Sequence, residues 1–135
     1  MRTALVVLLV FLPACRTTTT SRLPGPESVS ITRTKPVRAW EIWDSGRCLG
    51  SFVRFEEPGK PDRAFYSVRN REGQEIGIVD IDGRAWRYRV HSSAPDWLGS
   101  GTVFEGARRI LDGSATASPV EVDVEKLREI LGRTG

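Results

Sequence analysis

The sequence predicts an α+β fold that is mostly β: a five-stranded antiparallel meander covered on one face by a short helix, plus a short C-terminal helix. Three observations lead to this prediction. Between residues 37 and 90, short runs rich in Val, Ile, Phe, Tyr and Trp alternate with turn residues about every ten positions. One apolar stripe at helical spacing follows this region, and a second lies near the C-terminus.

The first fifteen residues have the pattern of a processed export signal. Arg2 precedes an apolar run over residues 4–12, which is shorter than the roughly 20 residues that a membrane-spanning helix needs. The run ends in Leu12-Pro13-Ala14-Cys15. This leader resembles the signal peptides of bacterial lipoproteins, although Pro13 and the single positive charge depart from their usual pattern. The resemblance implies that residues 1–14 are removed and that Cys15 becomes the acylated N-terminus.

An acylated N-terminus predicts an extracytoplasmic protein that stays on a membrane. Two or more acyl chains make a stable anchor, whereas a single chain binds only reversibly. Arg16 stands where some Gram-negative lipoproteins carry an inner-membrane retention Asp, so the resemblance favours the outer membrane in a Gram-negative host. Residues 15–36 are rich in Thr, Ser and Pro, and we expect them to form a disordered tether.

Five strands are predicted between turns rich in Gly, Asp and Asn. They cover Val37–Trp43, Cys48–Glu56, Ala64–Arg69, Glu75–Ile81 and Arg84–Val90. The predicted connections are Asp44-Ser45-Gly46, the longer Glu57–Asp62, Asn70–Gly73 and the two-residue hairpin turn Asp82-Gly83. Neighbouring strands are therefore expected to run antiparallel.

The first and third of these turns share one pattern. In each, an Asp or Asn is followed by a turn glycine and then by a second glycine inside the next strand, Gly50 or Gly77. A glycine inside a strand indicates a bulge or the close approach of another backbone. Because two copies are too few for a repeat array, we interpret them as paired hairpins in one domain.

A helix over about residues 103–111 is predicted to cover the meander and to complete a domain that spans residues 37–112. Thr102 followed by Glu105 three residues later fits a capping box, and Gly113 ends the helix. The apolar residues after the cap recur at helical spacing. This helix is expected to bury the apolar face of the sheet.

Residues 113–135 are predicted to form a linker and a C-terminal helix. Residues 114–118 are small and polar, which is typical of a linker. The helix is expected from about Val124 to Leu131, with Asp123 as its N-cap. Either it docks on the domain or it binds a partner.

Side-chain alternation predicts one apolar face and one arginine-bearing face. Trp86, Tyr88 and Val90 are expected on the apolar face, as are Tyr66 and Val68. The other face is expected to carry Arg54, Arg69, Arg87 and Arg89, interleaved with Phe65 and Phe52. Such a surface either binds an anionic envelope ligand or is a solvated sheet face.

Composition limits the possible partners. The chain has 20 Lys and Arg against 17 Asp and Glu, a formal charge of +3, so it is not a polycation. Export also argues against nucleic acid as a partner. The chain has two cysteines, and acylation of Cys15 would leave Cys48 without a disulfide partner. We interpret Cys48 as a small buried hydrophobe.

Few residues suit catalysis or metal binding. A zinc site needs several His, Cys or carboxylate ligands, and the single histidine, His91, is expected in a loop or at a strand edge. Asp80–Gly83 is interpreted as a turn, because the later ligands of a calcium loop are missing. Gly-x-Ser-x-Gly and phosphate-loop motifs do not occur. We therefore predict no catalytic residues, no metal, no cofactor and no enzymatic activity.

Two functions stay open at this point. The first is a non-enzymatic binding or scaffolding lipoprotein, which contacts the bilayer through acylated Cys15 and binds an envelope protein, a lipid head group or a wall polymer. The second is an exported inhibitor or accessory subunit of an envelope enzyme. For this second function, Trp97 and the Gly-rich loop after it are the predicted docking element.

The body of the chain also resembles segments of short hypothetical lipoproteins from bacteria. The residues that carry this resemblance are Asn70–Gly77, Gly83-Arg84-Ala85 and Trp97-Leu98-Gly99. The similarity extends from Trp40 to Leu111 and implies no mechanism.

Overall fold

The computed structural model describes residues 34–132, which form seven strands and two helices. The strands are β1 (Lys35–Asp44), β2 (Arg47–Glu57), β3 (Lys60–Asn70), β4 (Glu75–Asp80), β5 (Ala85–Arg87), β6 (Asp96–Gly99) and β7 (Ser118–Val122). The helices are α1 (Val103–Ile110) and α2 (Val124–Gly132). The predicted class, mostly antiparallel β with two short helices, is confirmed. The predicted number of five strands was wrong, because β6 and β7 also join the sheet.

The seven strands form one antiparallel sheet in the order β6-β5-β4-β3-β2-β1-β7. Strands β1 to β6 follow one another as a meander. After α1 the chain returns to the opposite edge, where β7 pairs with β1 and Val122 lies opposite Ala39. The predicted boundary after residue 112 was therefore wrong, because the segment that follows supplies an edge strand and a helix to the same fold.

Two tight hairpins connect the first three strands. Ser45 and Gly46 join β1 to β2 with φ angles of 51° and 76°, which suits a two-residue hairpin loop. A longer loop was predicted between β2 and β3, but only Pro58 and Gly59 connect them. Both strands are consequently longer than expected and remain paired close to the turn.

The register between β4 and β5 differs by one residue from the register that the predicted turn implies. A two-residue turn at Asp82-Gly83 would place Trp86 opposite Val79, whereas Trp86 lies opposite Ile78 because Ile81 belongs to the loop. A shift of one residue moves every side chain of a strand to the other face of the sheet. Val79 lies opposite Tyr66, so Trp86 lies on the other face of the sheet from both. The prediction that Trp86 shares the apolar face of Tyr66 and Val68 was therefore wrong.

Helix α1 covers the face that carries Tyr66 and Val68. The predicted N-cap is confirmed, since the Thr102 hydroxyl accepts the backbone N–H of Glu105 at 3.1 Å. Ala107 and Ile110 are its buried apolar residues. They pack into a core that includes Ile42, Phe52, Tyr66, Val68, Val79 and Ala85.

Helix α2 lies on the opposite face, so the predicted sheet with a single covered side was wrong. Leu127 and Ile130 pack against Ala39 and Val53 to form a second core. The predicted N-cap is again confirmed, because the Asp123 carboxylate accepts the backbone N–H of Lys126 at 2.8 Å. Strands β1 and β2 thus bury apolar side chains on both faces.

Gly50 and Gly77 lie where a side chain has no room. A Cβ atom on Gly77 would lie 2.5 Å from the Trp86 carbonyl oxygen and 2.9 Å from Ile110 Cγ2. A Cβ atom on Gly50 would collide with the Arg69 carbonyl oxygen. The strand register shifts next to both glycines. The predicted close approach of another backbone is therefore confirmed at both positions.

Several predictions concern segments outside the described residues. The signal peptide over residues 1–14, the acylated Cys15 and most of the tether over residues 15–36 belong to this group. Lys35 and Pro36 are part of β1 and not of a tether. No helix within residues 34–132 combines the length and apolar character that crossing a membrane requires.

Candidate functional site

The four arginines predicted to share one face do not lie together. Arg54 lies opposite Tyr66 on the face that α1 covers, and the shifted β4–β5 register places Arg87 on that face as well. Arg69 lies on the other face of β3, and Arg89 follows the end of β5. The prediction of one basic sheet face was therefore wrong.

Arg87 caps the C-terminus of α1. Its Nη2 atom donates to the carbonyl oxygens of Arg109 at 2.6 Å and Ile110 at 2.7 Å, and it lies 2.8 Å from Asp112 Oδ1. A cation at this position satisfies carbonyls that lack a partner inside the helix and interacts favourably with the helix dipole. Arg87 therefore has a structural role.

The other three arginines also contact groups within the fold. Arg54 Nε lies 2.6 Å from Glu56 Oε1, and its Nη1 donates to the Tyr66 hydroxyl at 2.7 Å. Arg69 Nη1 donates to the Gly73 carbonyl at 3.1 Å. Arg89 pairs with Asp96, and its hydrogen bond lowers the pKa of the Asp96 carboxyl. These contacts leave the hypothesis that a basic face binds an anionic ligand without a geometric basis.

An aromatic cluster that the sequence analysis missed lies on the α1 face of β1 to β3. The rings of Trp40 and Phe52 stack at 4.8 Å, and the Tyr66 ring lies 6.1 Å from each. The Arg38 guanidinium lies 4.9 Å from the Trp40 ring and also pairs with Glu121 of β7. Arg38 and Trp40 stand two residues apart in β1, so a strand places both on one face. This spacing was the signal in the sequence from which their contact could have been predicted. Because Phe52 and Tyr66 are buried, the cluster is part of the core.

A polar network lies on the α2 face between β3 and β4. The fully buried Ser67 hydroxyl donates to Glu75 Oε2, and the Tyr88 hydroxyl donates to Glu75 Oε1 at 3.0 Å. Burial raises the pKa of the Tyr88 hydroxyl, and the nearby Glu75 carboxylate raises it further. Tyr88 thus stays neutral and acts as a donor. The network cross-links two strands and satisfies a buried hydroxyl.

A cleft of about 370 Å³ opens on the α2 face, between α2 and the turn that joins β3 to β4. Its volume lies within the range of roughly 300 to 1,000 Å³ that is typical of small-molecule sites. Residues from β1, β2, the end of β3, the turn and α2 line it: Glu41, Trp43, Cys48, Gly50, Ser51, Asn70, Arg71, Lys126 and Ile130. The cleft therefore exists only because α2 docks on the sheet.

Glu41 organises one wall of this cleft. The Trp43 indole N–H donates to Glu41 Oε2 at 3.1 Å, and Lys126 Nζ lies 3.6 Å from Glu41 Oε1. These two contacts orient the carboxylate, whose side chain is 14% exposed. Trp43 itself lines the cleft and is 38% exposed. An oriented aromatic ring, a carboxylate and an ammonium group thus lie side by side.

Cys48 also lines the cleft, which corrects its interpretation as a buried hydrophobe. The register shift between Ile42 and Trp43 brings Cys48 opposite Trp43, while Leu49 packs against the α1 core. Cys48 is consequently half-buried, and its Sγ lies 3.5 Å from the Gly50 carbonyl oxygen. The strand alternation alone does not reveal such a shift.

His91 is exposed in the loop after β5, where the sequence placed it. Trp97 lies in the edge strand β6 opposite Trp86, with 44% of its surface exposed. Among residues 34–132, no group of three or more His, Cys, Asp or Glu side chains is placed to hold a metal ion. The cleft and the edge around Trp97 are therefore the two candidate binding surfaces. Comparison of the chain with protein-family models, with curated proteins and with solved structures finds no match.

Proposed function

We propose that the protein is a membrane-anchored extracytoplasmic lipoprotein with a non-enzymatic binding or scaffolding role in the cell envelope. The observation that carries this proposal is the leader, in which a short apolar run ends in Leu12-Pro13-Ala14-Cys15. Its similarity to lipoprotein signal peptides makes Cys15 the lipid attachment site. Arg16, in place of an Asp, favours the outer membrane in a Gram-negative host.

The position of the folded domain agrees with such an anchor. Strand β1 begins at Lys35, so residues 16–34 separate the sheet from the proposed attachment site. A segment of this length spans at most about 65 Å when it is fully extended. The domain would therefore act close to the membrane surface, on a head group, a polymer or a protein of the envelope.

Acylation can be tested by labelling cells with a fatty acid and fractionating them. We expect the protein to carry the label and to enter the membrane fraction, and we expect globomycin to cause a precursor of higher mass to accumulate. The variant Cys15→Ser should lose both the label and the membrane association. The matched variant Cys48→Ser should keep both. Unlabelled protein in the cytosol with its leader intact would contradict the proposal.

The second candidate is an exported inhibitor or accessory subunit of an envelope enzyme. The observation that favours it is the aromatic surface around the edge strand β6, where Trp97 is 44% exposed and Tyr88, the residue after β5, is 40% exposed. Exposed aromatic residues are enriched among the residues that contribute most to protein interfaces. Capture of one stoichiometric enzyme by the wild type, with its loss in Trp97→Ala but not in Trp43→Ala, would select this function.

A further inference from the structure

We propose that the chain segment of residues 23–31 docks on the sheet face that carries α2, over the part of that face that α2 does not cover. These residues lie outside those that the structure describes. The inference deepens the proposed function, because it states how the segment after Cys15 would hold the domain. It rests on that function only for the removal of residues 1–14.

One row of side chains on this face is buried across five strands. The strand pairing places five residues side by side from β1 to β5: Ala39, Val53, Ser67, Ile78 and Trp86. The first three are fully buried, and Trp86 at the far end is only 1% exposed. Neighbouring strands are about 4.8 Å apart, so this row is about 19 Å long.

Helix α2 covers only the β1 end of the row. Leu127 and Ile130 pack against Ala39 and Val53, and the second core does not include Trp86. A helix with its side chains is about 10 to 12 Å wide. A single helix centred near β1 and β2 therefore cannot extend over β5, and the cover over Trp86 comes from another segment.

The rest of residues 34–132 does not supply that cover. Helix α1 packs on the opposite face, and residues 88–94 after β5 are exposed. Ile78 and Trp97 flank Trp86 from neighbouring strands, and the Arg84 guanidinium lies 5.9 Å from its ring. An aromatic side chain buries roughly 150 to 250 Å², which is more than flanking strands and one guanidinium at this distance enclose.

The segment before β1 has the composition for this role. Residues 133–135, which follow α2, contain no apolar side chain. Residues 16–33 contain three large ones, Leu23, Val29 and Ile31. Val29 and Ile31 alternate with small polar residues, as in an extended segment with one apolar side. Such a segment can bury its apolar side on a sheet face.

Its length also fits. Lys35 begins β1, and Trp86 lies four strands across from it and in the row of Ala39, which is about 23 Å away in total. Leu23 stands twelve residues before Lys35, and an extended chain of that length reaches about 40 Å. Ile31, four residues before Lys35, reaches about 13 Å. That is enough to contact Phe65, two strands from β1 on the same face.

A docked segment would bring the domain closer to its anchor. With Leu23 held at Trp86, only residues 16–22 would separate the domain from Cys15, and these span at most about 25 Å. The β5 side of the sheet would then be the side nearest to the membrane.

The test is NMR on the full chain, purified from membranes in detergent as the cell processes it. We expect nuclear Overhauser effects between the Leu23 methyl groups and the Trp86 indole, and between the Ile31 methyl groups and the Phe65 ring. A sample mixed from two labelling patterns separates contacts within one chain from contacts between copies. Contacts to Trp86 from residues 1–14, from a second copy or from detergent alone would each overturn the proposal.

Leu23→Asp is the decisive variant, and it should fold because Leu23 belongs to neither core. It should raise the hydrogen-exchange rate of the Trp86 indole N–H at least about tenfold, because the docked segment loses a buried apolar side chain. Leu23→Met keeps an apolar side chain and should exchange as the wild type does. Thr19→Asp adds the same charge ahead of the docked residues and should also leave the rate unchanged.

An unchanged exchange rate in Leu23→Asp, or an equal increase in Thr19→Asp, would show that the segment does not cover Trp86. Fatty-acid labelling of Cys15 is measured separately, so the anchor and the docked segment can be contradicted independently.

Discussion

Two arginines that are neighbours on the same sequence segment have different roles in this fold. Arg87 extends from β5 to the carbonyl end of α1, where its Nη2 contacts Arg109 O and Ile110 O. Arg89 lies beyond the end of β5, pairs with Asp96 of β6 and is largely exposed. The strand register decides which arginine meets the helix, so residue type alone does not assign the role.

We expect Arg87→Ala to lower the free energy of unfolding by about 2 kcal/mol, because two helix carbonyls lose a charged donor. Urea denaturation followed by circular dichroism measures this loss. Arg89→Ala is the matched control. Since exposed ion pairs contribute little, it should unfold at nearly the wild-type midpoint. The same midpoint in both variants would show that the cap does not stabilise the helix.

Asp44 links the β1–β2 hairpin to the loop after α1. Its carboxylate accepts the Ser114 backbone N–H at 2.8 Å and the hydroxyls of Ser114 at 2.8 Å and Thr116 at 3.1 Å. The hydrogen bonds from Ser114, followed by those of Thr116 and Ser45, lower the pKa of Asp44. Because the pKa is lower in the folded state, the stabilisation is present above about pH 4. It is lost as the pH falls through the folded-state pKa.

We therefore expect Asp44→Asn to be less stable than the wild type at neutral pH and to lose less stability on acidification. Urea midpoints measured from neutral to acidic pH give both quantities. Asp62→Asn, an exposed aspartate of β3, is the control and should follow the wild-type curve. Parallel curves for Asp44→Asn and the wild type would show that the carboxylate charge does not matter.

At the scale of elements, local patterns were predictable and relations between strands were not. The helix caps Thr102 and Asp123 were predicted correctly, because a cap depends on hydrogen bonds within four residues. The face of Trp86 was predicted wrongly because Ile81 joins the β4–β5 loop. Two-residue and three-residue hairpins both use glycine at positive φ, so Asp82-Gly83 does not distinguish them.

The packing of α2 on the sheet leads to a prediction about stability. Ile130 is 2% exposed and packs in the second core, so Ile130→Ala should cost about 2 to 4 kcal/mol through lost burial and the cavity left behind. Chemical denaturation measures the cost. Val124→Ala removes an exposed apolar side chain of the same helix and should change stability little. A small and equal effect in both variants would mean that α2 does not pack on the sheet in solution.

At the scale of the whole molecule, the cleft shows why the candidate site was not predictable from the sequence. Glu41 and Trp43 come from the first strand, Arg71 from a turn and Lys126 from the last helix. They meet only because β7 returns to pair with β1 and positions α2 over the second face. The sequence analysis predicted that helix, yet left open whether it docks. No local sequence pattern could therefore predict that these residues lie close together.

The final prediction concerns the independence of the described domain. Both cores consist of residues between Ala39 and Leu131, so a fragment of residues 34–132 should fold without residues 1–33 and unfold in a single transition. Coincident urea curves from fluorescence and circular dichroism would establish this. A second fragment that ends at Asp123 lacks α2 and exposes Ala39 and Val53, so it should be less stable and prone to association. If the first fragment stayed unfolded, residues outside it would have to complete the cores. The proposed division into an anchor and a folded binding domain would then be wrong.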